Sequence, residues 1–131
     1  MLVGLHEYNL NVGTLAAKSY RELIIWRRAI ELCIAIYAVT QSFPREEIYG
    51  LSNQLRRASV SVPSNIAEGY GRLSREQYRH FLGIARGSNL ELQTQLEIAR
   101  RLGFGSRPDI DKAEGLSFEI SRMLTAMLKK L

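Results

Sequence analysis

Four stretches of this chain repeat apolar residues at alternating steps of three and four. That spacing gathers them on one side of a helix and restricts the fold to helices packed through their apolar stripes. The stripes read Leu23, Trp26, Ile30, Cys33 and Tyr37; then Leu51, Leu55, Ala58, Val62 and Ile66; then Tyr78, Phe81, Ala85, Leu92, Leu96 and Ala99; and last Ala113, Leu116, Ile120, Leu124, Met127 and Leu131. The breaks between them carry end signals. Ser19-Tyr20-Arg21-Glu22 is a capping box, and so is Ser74 with Gln77 three positions on. Phe43-Pro44 stops the first stretch, because proline disfavours helical backbone in the residue before it. Gly69-Tyr70-Gly71-Arg72 ends the second, and Gly103 and Gly105 end the third. Pro108 suits a first helical turn, Asp109 and Asp111 suit the positive end of the helix dipole, and Lys129 and Lys130 suit the negative end.

Two features bear on geometry. Pro63 lies inside the second pattern and predicts one helix kinked near Val60 rather than two helices. Gly83 and Gly87 each cost about 1 kcal/mol of helix propensity relative to alanine, which predicts the close approach of a neighbouring helix. Long helices joined by short links pack as antiparallel neighbours, so the expected fold is all-α: an up-down four-helix bundle over residues 19–131. Residues 1–18 show no sustained periodicity and are expected to be a flexible lead-in.

At 131 residues the chain is sized for one core, and 46% apolar with 24% charged residues is ordinary globular composition. A single cysteine, Cys33, excludes an internal disulfide and any multi-cysteine zinc site; its apolar neighbours suggest a buried small side chain. His6 and His80 lack ligand-spaced partners, so no metal is expected, and no glycine-rich phosphate loop joins a strand to a helix. No cofactor is implied. The longest apolar run, Leu32 to Val39, is far short of the ~20 residues that cross a bilayer, and the first ten residues lack a secretion signal. The expected home is cytoplasmic. The net charge of +5 comes from 14 arginines and 4 lysines against 13 acids, a balance that favours an anionic partner or a mildly basic soluble surface.

Several segments resemble a known family. Tyr20-Arg21-Glu22-Leu23 with Trp26, Phe43-Pro44, Tyr49-Gly50-Leu51, Gln54-Leu55-Arg56-Arg57-Ala58, Ser61-Val62-Pro63-Ser64-Asn65-Ile66-Ala67-Glu68-Gly69 and Phe81-Leu82-x-Ile84-Ala85-x-Gly87-Ser88 are similar to the four-helix-bundle proteins encoded in intervening sequences of bacterial large-subunit ribosomal RNA genes. The resemblance spans about residues 19–104. It implies a ring-like homopentamer. It also implies a relation to the accessory protein of diversity-generating retroelements, a basic pentamer that works with a reverse transcriptase and RNA. Asn89, often apolar in that family, and Gln93, often acidic, depart from the pattern.

Three groups of residues are candidates for function. On the third helix Arg75, Arg79, Arg86 and Arg100 fall within an arc of roughly 60°, with Gln93 between them, Arg101 adjacent and Glu97 interrupting. Arginines spaced along a helix axis can follow a phosphate backbone, or can form a solvated face. On the second helix Gln54, Arg57, Ser61, Asn65 and Glu68 share a polar band beside the core face. This predicts an interface network in which Arg57 finds a carboxylate, such as Glu68, in its own or an adjacent chain. Last, Arg75 and His80 have the spacing seen in helical-bundle ribonucleases of toxin–antitoxin systems. They stand about 140° apart on a regular helix, however, and His80 leads directly into Phe81-Leu82 of the core face, so a satisfied structural histidine is the expected reading. Taken together, the residues suggest a noncatalytic, self-assembling scaffold for RNA, DNA or a nucleic-acid enzyme. The alternatives are a protein-interaction assembly without nucleic acid and, behind it, a ribonuclease.

Overall fold

The computed structural model describes residues 19–131. The expected lead-in over residues 1–18 lies outside the described residues. Four α-helices make up the fold: α1 (Ile24–Gln41), α2 (Leu51–Gly71), α3 (Arg75–Leu102) and α4 (Arg107–Lys130), and no strand occurs among the described residues. Contacts between consecutive helices run in opposite directions. Gln95 reaches Gln54, Ser88 reaches Ser61, and Tyr78 lies beside Gly69, so α3 ascends as α2 descends. Asp111 meets Arg100, while Leu131 meets Arg75, so α4 descends again. The result is the all-α four-helix bundle that the stripes predict, with α1 and α3 at opposite corners.

The centre is a single cluster to which every helix contributes. Leu32, Ile36, Leu55, Val62, Ile66, Leu82, Leu92, Leu96, Ile120 and Leu124 are fully buried. Each such side chain contributes about 1.5–3 kcal/mol by leaving water. Met123 and Met127 join this core as filler, one half-buried and one buried.

The end signals are largely used as read. Ser74 accepts from the Gln77 amide at 3.3 Å and starts α3. Ser106 accepts from the Asp109 amide at 3.2 Å and starts α4 one residue before Pro108. Gly103, at φ 74°, ends α3 in the left-handed conformation that glycine tolerates best. Gly105, at φ 78°, lets the α3–α4 turn press on α1: a Cβ there would stand 3.2 Å from the Phe43 ring. Helix α2 runs without interruption across buried Pro63.

Four expectations need correction. Ser19 does not start α1: it caps a separate 3₁₀ turn, Tyr20–Glu22, and α1 begins at Ile24 after an extended Leu23. The buried stripe of α1 is therefore Ile25, Ala29, Leu32, Ala35, Ile36 and Val39, while Tyr37 is 44% exposed and Trp26, Ile30 and Cys33 are half-buried. Helix α1 is apolar nearly all round, so periodicity alone could not choose its inner face. On α3, Leu82 takes the buried place expected of Phe81, which is half-buried and lies against Arg72. Gly83 and Gly87 approach nothing, since no atom lies within 4 Å of a Cβ built at either. The glycine that does permit close packing is Gly69, where a Cβ would stand 2.7 Å from Phe81 Cβ and 3.2 Å from the Tyr78 ring.

Gly69→Ala should therefore force α2 and α3 apart and cost about 1–3 kcal/mol, read as a lower midpoint in denaturant unfolding. An unchanged midpoint would mean that the close approach is not limiting. Tyr78 is fully buried, and burial, with a smaller contribution from Tyr70, raises its pKa well above the ordinary 10.0. The folded state thus holds the phenol proton more tightly than the unfolded chain. The sign of the linkage is that this stabilisation is complete below about pH 10 and is lost as pH rises beyond it. Phenolate absorbance from Tyr78 should appear together with loss of helical signal, and Tyr78→Phe should move that alkaline transition upward.

Candidate nucleic-acid interface

The arginines of α3 project into the seam with α4, and what each finds there differs along the helix. Arg75 donates from Nε to the Leu131 carbonyl at 2.9 Å and from an Nη to that of Lys130 at 3.4 Å. Arg79 donates to the Leu128 carbonyl. Both satisfy carbonyls in the last turn of α4 that have no partner within their own helix. Arg86 reaches the Thr125 hydroxyl at 3.4 Å. A carbonyl and a hydroxyl leave the guanidinium charges of Arg79 and Arg86 uncompensated.

Toward the other end the pattern reverses. Arg100 bridges Asp111 and Glu114, each at 3.0 Å, and the hydrogen bond to Asp111 is the main cause holding it still more firmly charged. Arg101 pairs with Glu97 at 2.8 Å. The α3 stripe of Arg75, Arg79, Arg86 and Arg100, with Arg101 beside it, is thus split near the interrupting Glu97. Arg79 and Arg86 meet no carboxylate among the described residues, whereas Arg100 and Arg101 are neutralised by acids of α4 and of their own helix.

This split is local evidence of a division across the whole molecule. One half of the bundle contains the start of α1, the end of α2, the start of α3 and the end of α4, which together are residues 19–32, 61–88 and 119–131. It carries Arg21, Arg27, Arg28, Arg72, Arg75, Arg79, Arg86, Arg122, Lys129 and Lys130 against Glu22, Glu31, Glu68, Glu76 and Glu119. The other half, residues 33–60 and 89–118, carries seven cations and seven carboxylates. Among the described residues the net charge of +5 therefore resides in one half. Helix periodicity misses this, because the excess is assembled from four helix ends that only the antiparallel fold brings together.

The polar band on α2 is dispersed into short contacts. Gln54 accepts from buried Gln95 at 3.4 Å, Ser61 and Ser88 share a hydrogen bond of 2.8 Å, and Asn65 donates to the Ser61 carbonyl at 2.8 Å and hydroxyl at 2.9 Å. Glu68 pairs with Arg72 at 2.7 Å and not with Arg57, which has no ion pair among the described residues. The Gln95 side-chain oxygen is buried without a donor.

A second polar contact, not anticipated as such, lies between α3 and α4. Asn89 is fully buried; it donates to the Ser117 carbonyl at 2.9 Å and the Ser121 hydroxyl at 3.0 Å, and accepts from the Ser117 hydroxyl at 2.7 Å. Gln93 donates to the same Ser121 hydroxyl at 3.1 Å. Asn89 and Gln93 are thus linked through Ser121.

Arg75 and His80 are not brought together. Arg75 is turned to the end of α4, while His80 is exposed and stacks edge-on with Phe81 at 5.2 Å, so it is not the structural histidine expected from the sequence. Cys33 is half-buried, with its sulfur 3.5 Å from the Ser59 hydroxyl. Among the described residues no group of three His, Cys, Asp or Glu side chains is placed to hold a metal ion. No helix among them is long and apolar enough to cross a membrane.

What fold and surface define is an all-helical bundle with a one-sided positive charge among the described residues. Residues 21–126 match the 23S rRNA-intervening sequence protein family, and the chain belongs to that family. Its fold is similar to the crystal structure of a protein of unknown function from the S23 ribosomal protein family of Bacteroides thetaiotaomicron. That likeness has a TM-score of 0.72 and 22% identity, and covers 81% of this chain and 99% of the other. None of the curated protein sequences matches the chain.

Asn89→Ala should leave the Ser117 and Ser121 hydroxyls short of a partner and cost about 1–3 kcal/mol. Replacing the pair together, Asn89→Leu with Ser117→Ala, should recover most of that loss in chemical denaturation, because both polar partners then leave the core. No recovery would assign the cost to packing instead.

Proposed function

We propose that this protein is a noncatalytic homo-oligomeric scaffold, a ring of five by its family resemblance, that binds nucleic acid through the basic half of each bundle. The observation that carries the reading is the confinement of the whole charge excess to one half. Arg79 and Arg86 of α3 rest on a carbonyl and a hydroxyl, which orient them without cancelling their charge. A neutral partner surface would not need this segregation, and nonspecific solubility would be served by charge spread evenly. Repeated around a ring axis, such halves form one electropositive surface, and multivalent contact strengthens a weak individual site. Phosphate contact by these groups is independent of sequence, so RNA or single-stranded DNA is held by its backbone.

The test is a salt titration of the protein's affinity for a single-stranded RNA, comparing two double variants. Arg86→Glu with Arg122→Glu reverses charge in the basic half, and Arg107→Glu with Lys112→Glu does so in the balanced half. The first should weaken binding at least tenfold and flatten the plot of log affinity against log salt by about 0.7 for each phosphate no longer neutralised. The second should do neither. Equal effects from both pairs, or no binding by the parent protein at low salt, would refute the proposal.

A further inference from the structure

A groove of about 700 Å³ lies where the end of α1, the connection over residues 42–50 and the first turns of α2 meet. Its volume suits a small organic molecule. It belongs to the balanced half of the bundle, yet both charged residues that line it are arginines, Arg45 and Arg56. None of the seven carboxylates of this half lines it. Glu47, on the same turn as Arg45, accepts instead from the Leu51 amide at 3.1 Å, and Glu97, Asp111 and Glu114 are engaged by Arg101 and Arg100.

Arg56 is held in place before any ligand arrives. Its Nε donates to the Thr40 hydroxyl at 2.8 Å, and its guanidinium lies 4.6 Å over the Tyr37 ring. Thr40 is itself 4% exposed and donates to the Ile36 carbonyl at 2.9 Å, which fixes the acceptor that Arg56 uses. The two Nη groups remain, and they make no hydrogen bond or ion pair among the described residues. Together they form the end-on fork that matches two oxygens of an oxyanion. Ser52 stands one turn before Arg56 on the same side of α2 and lines the same groove. It is 6% exposed, and its hydroxyl has no hydrogen-bond partner among the described residues. Buried hydroxyls are nearly always paired, so this one is a donor left open to the groove. The remaining walls include Phe43, Pro44 and Ile48, with Tyr49 94% exposed beside them.

We propose that this groove is a binding site for a small phosphate monoester with an apolar or aromatic body, separate from the basic half of the molecule. The Arg56 fork and the Ser52 hydroxyl take the phosphate oxygens. Arg45 supplies a second positive charge, which suits a phosphate of about −1.5 to −2 at neutral pH better than a singly charged carboxylate. The body of the ligand rests on Phe43, Pro44 and Ile48, and Tyr49 offers a ring for stacking. A neutral ligand would leave the arginines unanswered, and a cation would be repelled by both.

The experiment titrates phenyl phosphate into the full chain by calorimetry, with NMR signals of the Arg56 Nε–H and the Ser52 amide followed in parallel. Inorganic phosphate, benzoate and phenol are the comparison probes. Phenyl phosphate should bind one per chain and move both signals; inorganic phosphate and benzoate should bind more weakly, and phenol not at all. Arg56→Gln should lower the affinity about tenfold or more, the loss expected of a charge-assisted pair. Ser52→Ala removes a hydroxyl with no internal bond to lose, so it should keep the thermal midpoint while weakening binding about threefold. Arg107→Gln, a cation of the same half outside the groove, should leave the affinity unchanged. Absence of binding at millimolar phenyl phosphate would overturn the site, as would a folded Ser52→Ala chain that binds as tightly as the parent. So would an Arg107→Gln effect equal to that of Arg56→Gln. Benzoate bound as tightly as phenyl phosphate would overturn the assignment of a phosphate.

Discussion

Helix α3 has to lie against α2 and α4 at once, and Gly69 governs how near it can come on the α2 side. With Phe81 Cβ only 2.7 Å from where a side chain would begin, the two helices meet backbone to side chain at the end of the bundle. Tyr78 is then driven fully into the interior beside Tyr70, and the turn between α2 and α3 closes in three residues. This turn is tight enough to hold Leu73 at φ 57°, a left-handed conformation that costs a non-glycine residue roughly 1–2 kcal/mol. Burial of the four stripes outweighs that strain.

The same seating decides where the charges go. Once α3 is fixed, its α4-facing arginines have only what α4 offers. At the start of α3 that is the open carbonyls of the last turn of α4, and at the end of α3 it is Asp111 and Glu114 in the first turns. Helix polarity explains the arrangement: acids suit helix starts and leave helix ends to cations. In an antiparallel pair, one end of the seam thus becomes an ion-pair cluster, while at the other Arg79 and Arg86 are held by a carbonyl and a hydroxyl. The basic half of the molecule is in this sense a product of the fold.

A bundle of this size spends its interior on packing, and its polar interior contacts are few and specific. Asn89 with Ser117 and Ser121 on one side of α3, and Ser61 with Ser88 on the other, fix how α3 is rotated between its neighbours. An apolar stripe can slip by a fraction of a turn at little cost, but a buried amide out of register loses its partners. What the rotation leaves outward near the middle of α3 is Gly83, Ile84, Gly87 and Leu90, beside the charged Arg86 and Glu91.

From the sequence alone, the number of helices, their approximate limits, most of their end signals and the inner faces of α2 and α4 could be read. Those properties arise from contacts within a few residues, namely caps, glycine turns and a 3.6-residue period. Family membership was legible too, in segments of α2 and α3. The inner face of α1 was not, because a helix apolar on nearly every side acquires its orientation from its neighbours. Nor was the fate of the α3 arginines, since Arg75 is matched by a carbonyl 56 positions away and Arg100 by carboxylates 11 and 14 positions on. Partners at such separations are chosen only when antiparallel packing places two helices side by side.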